Sequence, residues 1–346
     1  MNNSSIIQQA IRLVMDRQHL SREIARSVMS EMMDGAATPA QIGSLLTAIQ
    51  MKGETIDEVI GFAEIMRDKS SHVKSGSKPL LDTCGTGGDG AHTFNISTTA
   101  AIVAAAGGVR VAKHGNRAMS SKSGSADVLE ALGVHIGLNA EQATLCLQQI
   151  GICFMFAQNF HPSMKYVALP RKELGFRTIF NWLGPLTNPA QANCQVLGVY
   201  DRHKTEFMAQ ALLALGVERA LVVASFDGLD EISVSAETQM TELANRQFKT
   251  YTITPDILGI RSHELKDIQG GDARMNAEII QAIFSGEKGA YRDIVLANAS
   301  ASFYITERCA TLQEGVKLAA HVIDSGLAQA KLNDLIQLTG DLNHVS

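Results

Sequence analysis

Three glycines in LLDTCGTGGDGAHTFNIST, residues 80–98, carry the first chemical signal. Gly85, Gly87 and Gly90 match the G-x-G-x-x-G pattern of dinucleotide loops. A dinucleotide site needs its helix to begin at the third glycine and an acidic residue about 20 positions further on to hold the ribose hydroxyls. Here Gly90 is followed by polar AHTFN, and helical periodicity begins only near Ser97. Between residues 90 and 126 there is no Asp or Glu, whereas Arg110, Lys113, Arg117, Lys122, His92 and His114 all fall in that window. The stretch therefore calls for an anion. Glycine amides approach an oxyanion without Cβ interference, and a helix starting near Asn95 and Ser97 adds partial positive charge at its N-terminus. Phosphate or pyrophosphate fits this chemistry better than NAD does. A Walker A loop is ruled out, because no G-x-x-x-x-G-K-[ST] run occurs.

A second run, KHGNRAMSSKSGSAD at residues 113–127, places Lys113 at the end of an expected strand and offers Asn116, Ser120, Ser121, Ser123 and Ser125 ahead of another helix. Two such loops at strand ends point to the ligand edge of an open α/β sheet. A polyphosphate ligand calls for magnesium, whose ligands are carboxylates, hydroxyls and water. Asp230 and Glu231, in SFDGLDEISVS just past the strand-like RALVVAS, supply adjacent carboxylates for it. Among the histidines, His114 is a candidate general base or, equally, a loop residue that orients a substrate by packing or hydrogen bonding, while His161 and the others are read as structural. Met29, Met32, Met33 and Met155 are read as packing residues.

The elements that must position these residues divide the chain. Residues 1 to about 70 contain four amphipathic helical runs, with Ser21, Thr38 and Thr55 as N-caps and Gly35 and Gly53 as C-terminal stops. HVKSGSKP, residues 72–79, reads as a linker. From residue 80, apolar runs such as LLDTC, VRVAKHG, ICFMFA, CQVLGVYD and RALVVAS alternate with helical ones, the signature of a mainly parallel sheet covered by helices. HPSMKYVALPRKELGFRTIFNWLGPLTNP, residues 161–189, reads as helical pieces broken by proline, and the last third as helix-rich. At 346 residues the chain exceeds the size at which one core keeps growing, so two domains are expected. No apolar run of membrane-spanning length and no export signal is seen. Five scattered cysteines without a C-x-x-C pair fit reduced thiols in a cytoplasm. A net charge of -5 gives no general attraction for nucleic acid.

Taken as an ensemble, GTGGDGAHTFNIST at 85–98, KHGNRAMSSKSGSADVLEALG at 113–133, the 161–189 run and DGLDEIS at 227–233 resemble the anthranilate phosphoribosyltransferase family of tryptophan biosynthesis, in order over nearly the whole chain. The resemblance implies a small all-helical N-terminal domain, residues 1–72 joined by part of 165–190. It also implies a larger α/β domain, residues 73–346, with a mainly parallel sheet like that of the pyrimidine phosphorylases, and a cytoplasmic homodimer. The implied reaction moves the 5-phosphoribosyl group from phosphoribosyl pyrophosphate to the amine of anthranilate. By the same resemblance the donor would be bound by Gly85, Gly88, Asp89, Thr93, Asn95, Ile96, Ser97, Thr98, Lys113, His114, Gly115, Asn116, Arg117, Ala118, Met119, Ser120, Ser121 and Ser125. Anthranilate would meet Gly85, Asn116 and Arg171, and Mg2+ would be held by Ser97, Asp230 and Glu231. No general base is assigned. The chain departs from the family pattern at Leu169 and Pro170; because proline disfavours a helical residue before it, the turn carrying Arg171 is expected to differ. Two rivals remain: a nucleoside phosphorylase, opposed by the paired loops and the DE pair, and a non-catalytic nucleic-acid-binding scaffold, opposed by the intact motifs and the charge.

Overall fold

The computed structural model describes residues 5–118 and 122–344. Its first elements are four helices, α1 (Ile6–Met15), α2 (Arg22–Met33), α3 (Pro39–Lys52) and α4 (Ile56–Asp68). Their boundaries follow from capping chemistry. The Ser21 hydroxyl accepts the Ile24 N–H, while Thr38 with Gln41 and Thr55 with Glu58 form reciprocal capping boxes. Gly53 ends α3 at a positive φ of 89°, a conformation that favours glycine. Met29, Met32 and Met33 are buried between these helices as packing residues.

The α/β part follows: β1 (Leu81–Gly85), α5 (Ile96–Ala106), β2 (Val111–Gly115), α6 (Ser125–Ala131), α7 (Ala140–Gln149) and β3 (Ile152–Phe156). The chain then makes an excursion through α8 (Ala157–Phe160), α9 (Lys165–Leu174) and α10 (Phe180–Leu183). It returns as β4 (Cys194–Gly198), α11 (Thr205–Ala214), β5 (Arg219–Ser225), β6 (Thr238–Ala244) and β7 (Gln247–Ile253). Helices α12 (Pro255–Leu258), α13 (Ala273–Phe284), α14 (Ala290–Ile305), α15 (Leu312–Asp324) and α16 (Leu327–His344) complete it.

The seven strands form one sheet in the order β3-β2-β1-β4-β5-β6-β7. The first five are parallel, and β6 and β7 add an antiparallel hairpin at one edge. Two strands leave β1 on one side and the next leaves on the other, so the direction of winding reverses between β1 and β4. That reversal opens a crevice beyond their carboxyl ends, where open α/β sheets bind ligands. Alternating side chains feed two cores. Leu81, Val111, Val196 and Leu221 pack under α5 and the C-terminal helices, while Leu197, Val199, Ala220 and Val222 share a core with α1 to α4. Helix α5, apolar on all sides, is enclosed by the first of these cores. Val167, Ile179, Phe180, Trp182 and Leu183 of the excursion lie in the second, and α9 packs directly on α3.

One expectation about the excursion is corrected. Pro170 does not open the chain before Arg171; it lies inside α9, which runs unbroken through Leu169. The missing proline N–H forfeits one intrahelical bond. Val167 and Pro170, buried on the face that meets α3 and α2, hold the helix together through packing instead.

Candidate active site

Gly85 ends β1 and Gly198 ends β4, and the two are register partners in adjacent strands. Both face the turn that follows β5. A Cβ on Gly85 would strike the Asp230 carboxylate, and a Cβ on Gly198 would strike the Asp230 backbone carbonyl. Neither glycine has a positive φ, so each is needed for room and not for backbone freedom. The paired glycines form a flat floor on which the Asp230 and Glu231 turn settles across the sheet's switch point.

The glycine loop reaches the same place. Gly87, Gly88 and Gly90 take φ values of 66°, 79° and 74°, which lets the loop turn tightly above β1. Gly87 N–H donates to Asp230 Oδ2 at 2.7 Å, and Ser97 N–H at the start of α5 donates to Glu231 Oε1 at 3.1 Å. The positive end of α5 is thus met by a carboxylate of the protein itself, where the sequence alone pointed to a ligand phosphate. Asp89 turns its Oδ1 to the Ala91 N–H at 3.2 Å, bracing the loop.

Burial dominates the electrostatics of this cluster. It pushes the Asp230 carboxyl up to about 7, with Asp89 adding repulsion and the Gly87 amide opposing. Burial and the adjacent Asp230 raise Glu231 far above its ordinary range, countered by Lys113. Lys113 is 4% exposed, donates to the Thr83 carbonyl and reaches Ser97 Oγ at 3.3 Å. Burial lowers its ammonium, while Asp82 is the leading group that holds the charge. Among the described residues no cluster of three or more His, Cys, Asp or Glu side chains is arranged to chelate a metal alone. Two half-buried carboxylates and a hydroxyl match an ion such as magnesium, which completes its shell with water and substrate oxygens.

The second loop is organised by Asp127, whose Oδ2 accepts from Ala118 N–H and Gly124 N–H, both at 2.9 Å. Arg117 pairs with Asp127 and Glu130 and lies over the Phe156 ring. Asn116 O accepts from Ser125 Oγ at 3.3 Å, and Gly115 leaves space for that hydroxyl. Met119, Ser120 and Ser121 lie outside the described residues. Asn95 joins the loops: its Nδ2 donates to Ser123 O at 3.1 Å, and its Oδ1 accepts from Asn276 of α13 at 2.9 Å. Thr93 forms a bridge to Gln269, while Ile96 and Thr98 are buried beneath the loop. Arg110 precedes β2 and bonds Ser77, so it stands at the opposite edge of the sheet from the crevice.

His114 is buried, with its backbone N–H donated to Asp82 Oδ1 at 3.2 Å and its ring 5.0 Å from that of His161. Burial, reinforced by His161, pushes it down to about 3, so the imidazole is neutral near pH 7. Burial likewise takes His161 to about 4. Arg171 lies over the Phe180 ring at 4.7 Å, and burial lowers its guanidinium from the usual range. No ion pair links it to a carboxylate of the described residues, or to the two loops. Six positions on, Arg177 donates to Gly88 O and stacks over Tyr200 at 4.0 Å, tying the excursion to the glycine loop. Sequence reasoning missed Arg177 and Asn276, whose partners are remote in the chain. It also missed Gly198, although a glycine closing the apolar run CQVLG was a readable sign of close approach.

Comparisons with known proteins agree with this arrangement. Residues 77–329 match the glycosyl transferase family α/β domain, and residues 8–70 match the helical bundle domain of the same family. The chain is 51% identical over 337 residues to the anthranilate phosphoribosyltransferase of Brevibacillus brevis, covering 97% of this chain and 99% of that protein. It is 52% identical to that of Pelotomaculum thermopropionicum, covering 98% of each. The crystal structure of the Thermus thermophilus enzyme superposes with a TM-score of 0.91 at 41% identity, covering 95% of this chain and 99% of that one. The Saccharomyces cerevisiae enzyme in complex with PRPP and Mg superposes at 0.89 with 27% identity, covering 97% and 98%.

Proposed function

The chain belongs to the anthranilate phosphoribosyltransferase family, and from that membership we propose that it transfers the 5-phosphoribosyl group of phosphoribosyl pyrophosphate to the amine of anthranilate, for L-tryptophan biosynthesis. The observation that carries the reading is the crevice floor: Gly85 and Gly198 side by side beneath Asp230, with the glycine loop and the α5 N-terminus bonded to Asp230 and Glu231. A phosphate-binding loop and a carboxylate pair at one switch point suit a metal-complexed diphosphate.

In the reaction the anthranilate nitrogen forms a bond to C1 of the ribose as the C1–O bond to pyrophosphate breaks. The electron pair leaves with pyrophosphate, and the amine gives up a proton. Asp230, Glu231 and the Ser97 hydroxyl are the residues that would hold Mg2+, which supplies Lewis-acid stabilisation of the leaving diphosphate when bound. The glycine loop and the loop after β2 lie on either side of the donor's phosphates and orient them. Lys113, held by the Thr83 carbonyl and Ser97, lies beneath them, and Ser125 and Asn116 shape the second loop. Arg171, with no carboxylate of its own, pairs with the anthranilate carboxylate and presents the amine. His114, neutral because it is buried, supports substrate orientation and not proton transfer.

We read the protein as a cytoplasmic homodimer. All five cysteines are free thiols, no helix of the described residues is long and apolar enough to cross a membrane, and Met15 of α1 and Met51 of α3 are exposed on packed neighbouring helices. Mixing the protein with anthranilate, phosphoribosyl pyrophosphate and Mg2+ is expected to consume anthranilate fluorescence. Unchanged fluorescence across pH and metal concentrations would overturn the assignment.

A further inference from the structure

Asn298 is a polar residue on a buried helix. It lies in α14 among Val295, Ala297, Ala299 and Ala301 and is 2% exposed. A buried amide is tolerated only when its hydrogen bonds are made. Its Oδ1 accepts the Ile232 N–H at 2.9 Å, and its Nδ2 donates to Ile232 O at 3.0 Å and to Ile294 O at 2.9 Å. Ile232 belongs to no strand, so the side chain of Asn298 acts as the strand neighbour its peptide groups lack. Two bonds to one residue fix rotation as well as position. The residue held this way is the one immediately after Glu231.

We propose that Asn298 is a positioning residue for the Asp230 and Glu231 pair, clamping the metal-binding turn onto the glycine floor through the backbone of Ile232. The inference rests on the function proposed above. The clamp answers a physical need, because Asp230 and Glu231 lie in a turn outside the strand ladder, whose backbone has no strand partner at Ile232. Four elements restrain it: the Ser97 amide, Lys113, the Gly87 amide and this clamp. On the far side Asp227 gathers the Ser225, Ser233 and Ser235 hydroxyls and closes the base of the same turn. Asn298 reaches the turn from the middle of α14, behind the sheet, and holds the residue that follows Glu231, so it sets how deeply the carboxylates sit.

The test compares Asn298→Leu, which removes both bonds at similar volume, with Asn298→Asp, which keeps one acceptor and sets an oxygen against Ile232 O. Calorimetric titration of phosphoribosyl pyrophosphate at graded Mg2+ reads metal-dependent donor binding without turnover, and thermal melting reports folding. Both variants are expected to raise the Mg2+ concentration for half-maximal donor binding by about tenfold or more. The KM for anthranilate stays within about twofold, because Arg171 lies elsewhere. An unchanged Mg2+ requirement in a folded variant overturns the proposal, and so does an equal loss in both substrates. If Asn298→Leu does not fold, the Asp variant decides by the same criteria. Failure of the unaltered protein to bind the donor with Mg2+ would instead refute the reading of the site itself.

Discussion

Replacing Gly198 by alanine tests whether the sheet floor sets the position of the carboxylate turn. The backbone of Gly198 is open to any L-residue, so the substitution introduces contact and no conformational strain. The new Cβ would overlap the Asp230 carbonyl oxygen, lie 2.5 Å from its carbonyl carbon and 3.2 Å from its Cα. Relieving the overlap with the carbonyl oxygen, the tightest of these contacts, requires the turn to lift by at least roughly 1 to 1.5 Å. Overpacking of this kind costs about 1–3 kcal/mol. At roughly 2 cal/mol/K of unfolding entropy per residue, a chain of this length loses only about 1–5 °C in Tm. A displacement of roughly 1 Å at groups that orient a reacting substrate costs about 100-fold in rate, equivalent to about 2.7 kcal/mol of barrier. The expected outcome is therefore a folded protein, slightly less stable, with kcat/KM for the donor down about 100-fold and a raised Mg2+ requirement. Initial rates at 25 °C with melting curves on the same preparations measure both. Gly43→Ala is the control, since it lies within α3 with no atom within 4 Å of the added carbon, and it should gain about 0.5–1 kcal/mol at unchanged rate. A Gly198→Ala protein within threefold of the wild-type rate would refute the idea that β4 positions Asp230.

Three further outcomes follow from the site. Arg171→Ala should raise the KM for anthranilate far more than that for the donor, and Arg171→Lys should recover only part of it, since an ammonium cannot reproduce the two-pronged pairing; equal effects on both substrates in steady-state kinetics would remove Arg171 from its role. Asp230→Asn combined with Glu231→Gln should flatten or displace the Mg2+ dependence of the rate, and an unaltered metal profile would place the ion elsewhere. His161 has a folded value of about 4, below its ordinary one near 6.5, so the unfolded chain binds the extra proton between them. Its contribution is fully present above about pH 6.5 and is lost as pH falls toward 4. The stability difference between wild type and His161→Gln, measured by urea titration, should therefore shrink by about 1 kcal/mol from pH 7.5 to pH 5.5; a pH-independent difference would contradict the buried neutral imidazole.

The parts of this molecule legible in its sequence are those fixed by near neighbours. Ser21, Thr38 and Thr55 announce their helices because a cap and its acceptor lie three residues apart. The first five strands are visible as apolar runs because both faces of a central parallel strand are covered. The edge hairpin was not foreseen, although Asn245 and Arg246, at φ of 53° and 60°, make a two-residue turn between alternating runs. Pro170 misled for a related reason, since a local rule about helix breaking was overridden by packing against α3 and α2. In the site, the glycine loop and the DE pair could be recognised as chemistry, but not their contact. Gly87 and Asp230 are 143 positions apart, and Asn298 grips Ile232 across 66. Such pairings depend on how helices stack behind the sheet, which no short window of residues encodes.

The run between residues 90 and 126 looks, as letters, like a block of positive charge. In the fold Arg117 is paired with Asp127 and Glu130, Arg110 faces the far edge, and Lys113 is buried against Thr83 and Ser97. Much of that charge is therefore already engaged by the protein itself. A diphosphate that enters as its magnesium complex brings counter-charge of its own. Capture of that complex rests on short-range fit to fixed dipoles, which monovalent salt screens only weakly. Donor binding is therefore expected to depend only weakly on ionic strength, which calorimetric titration at graded monovalent salt checks.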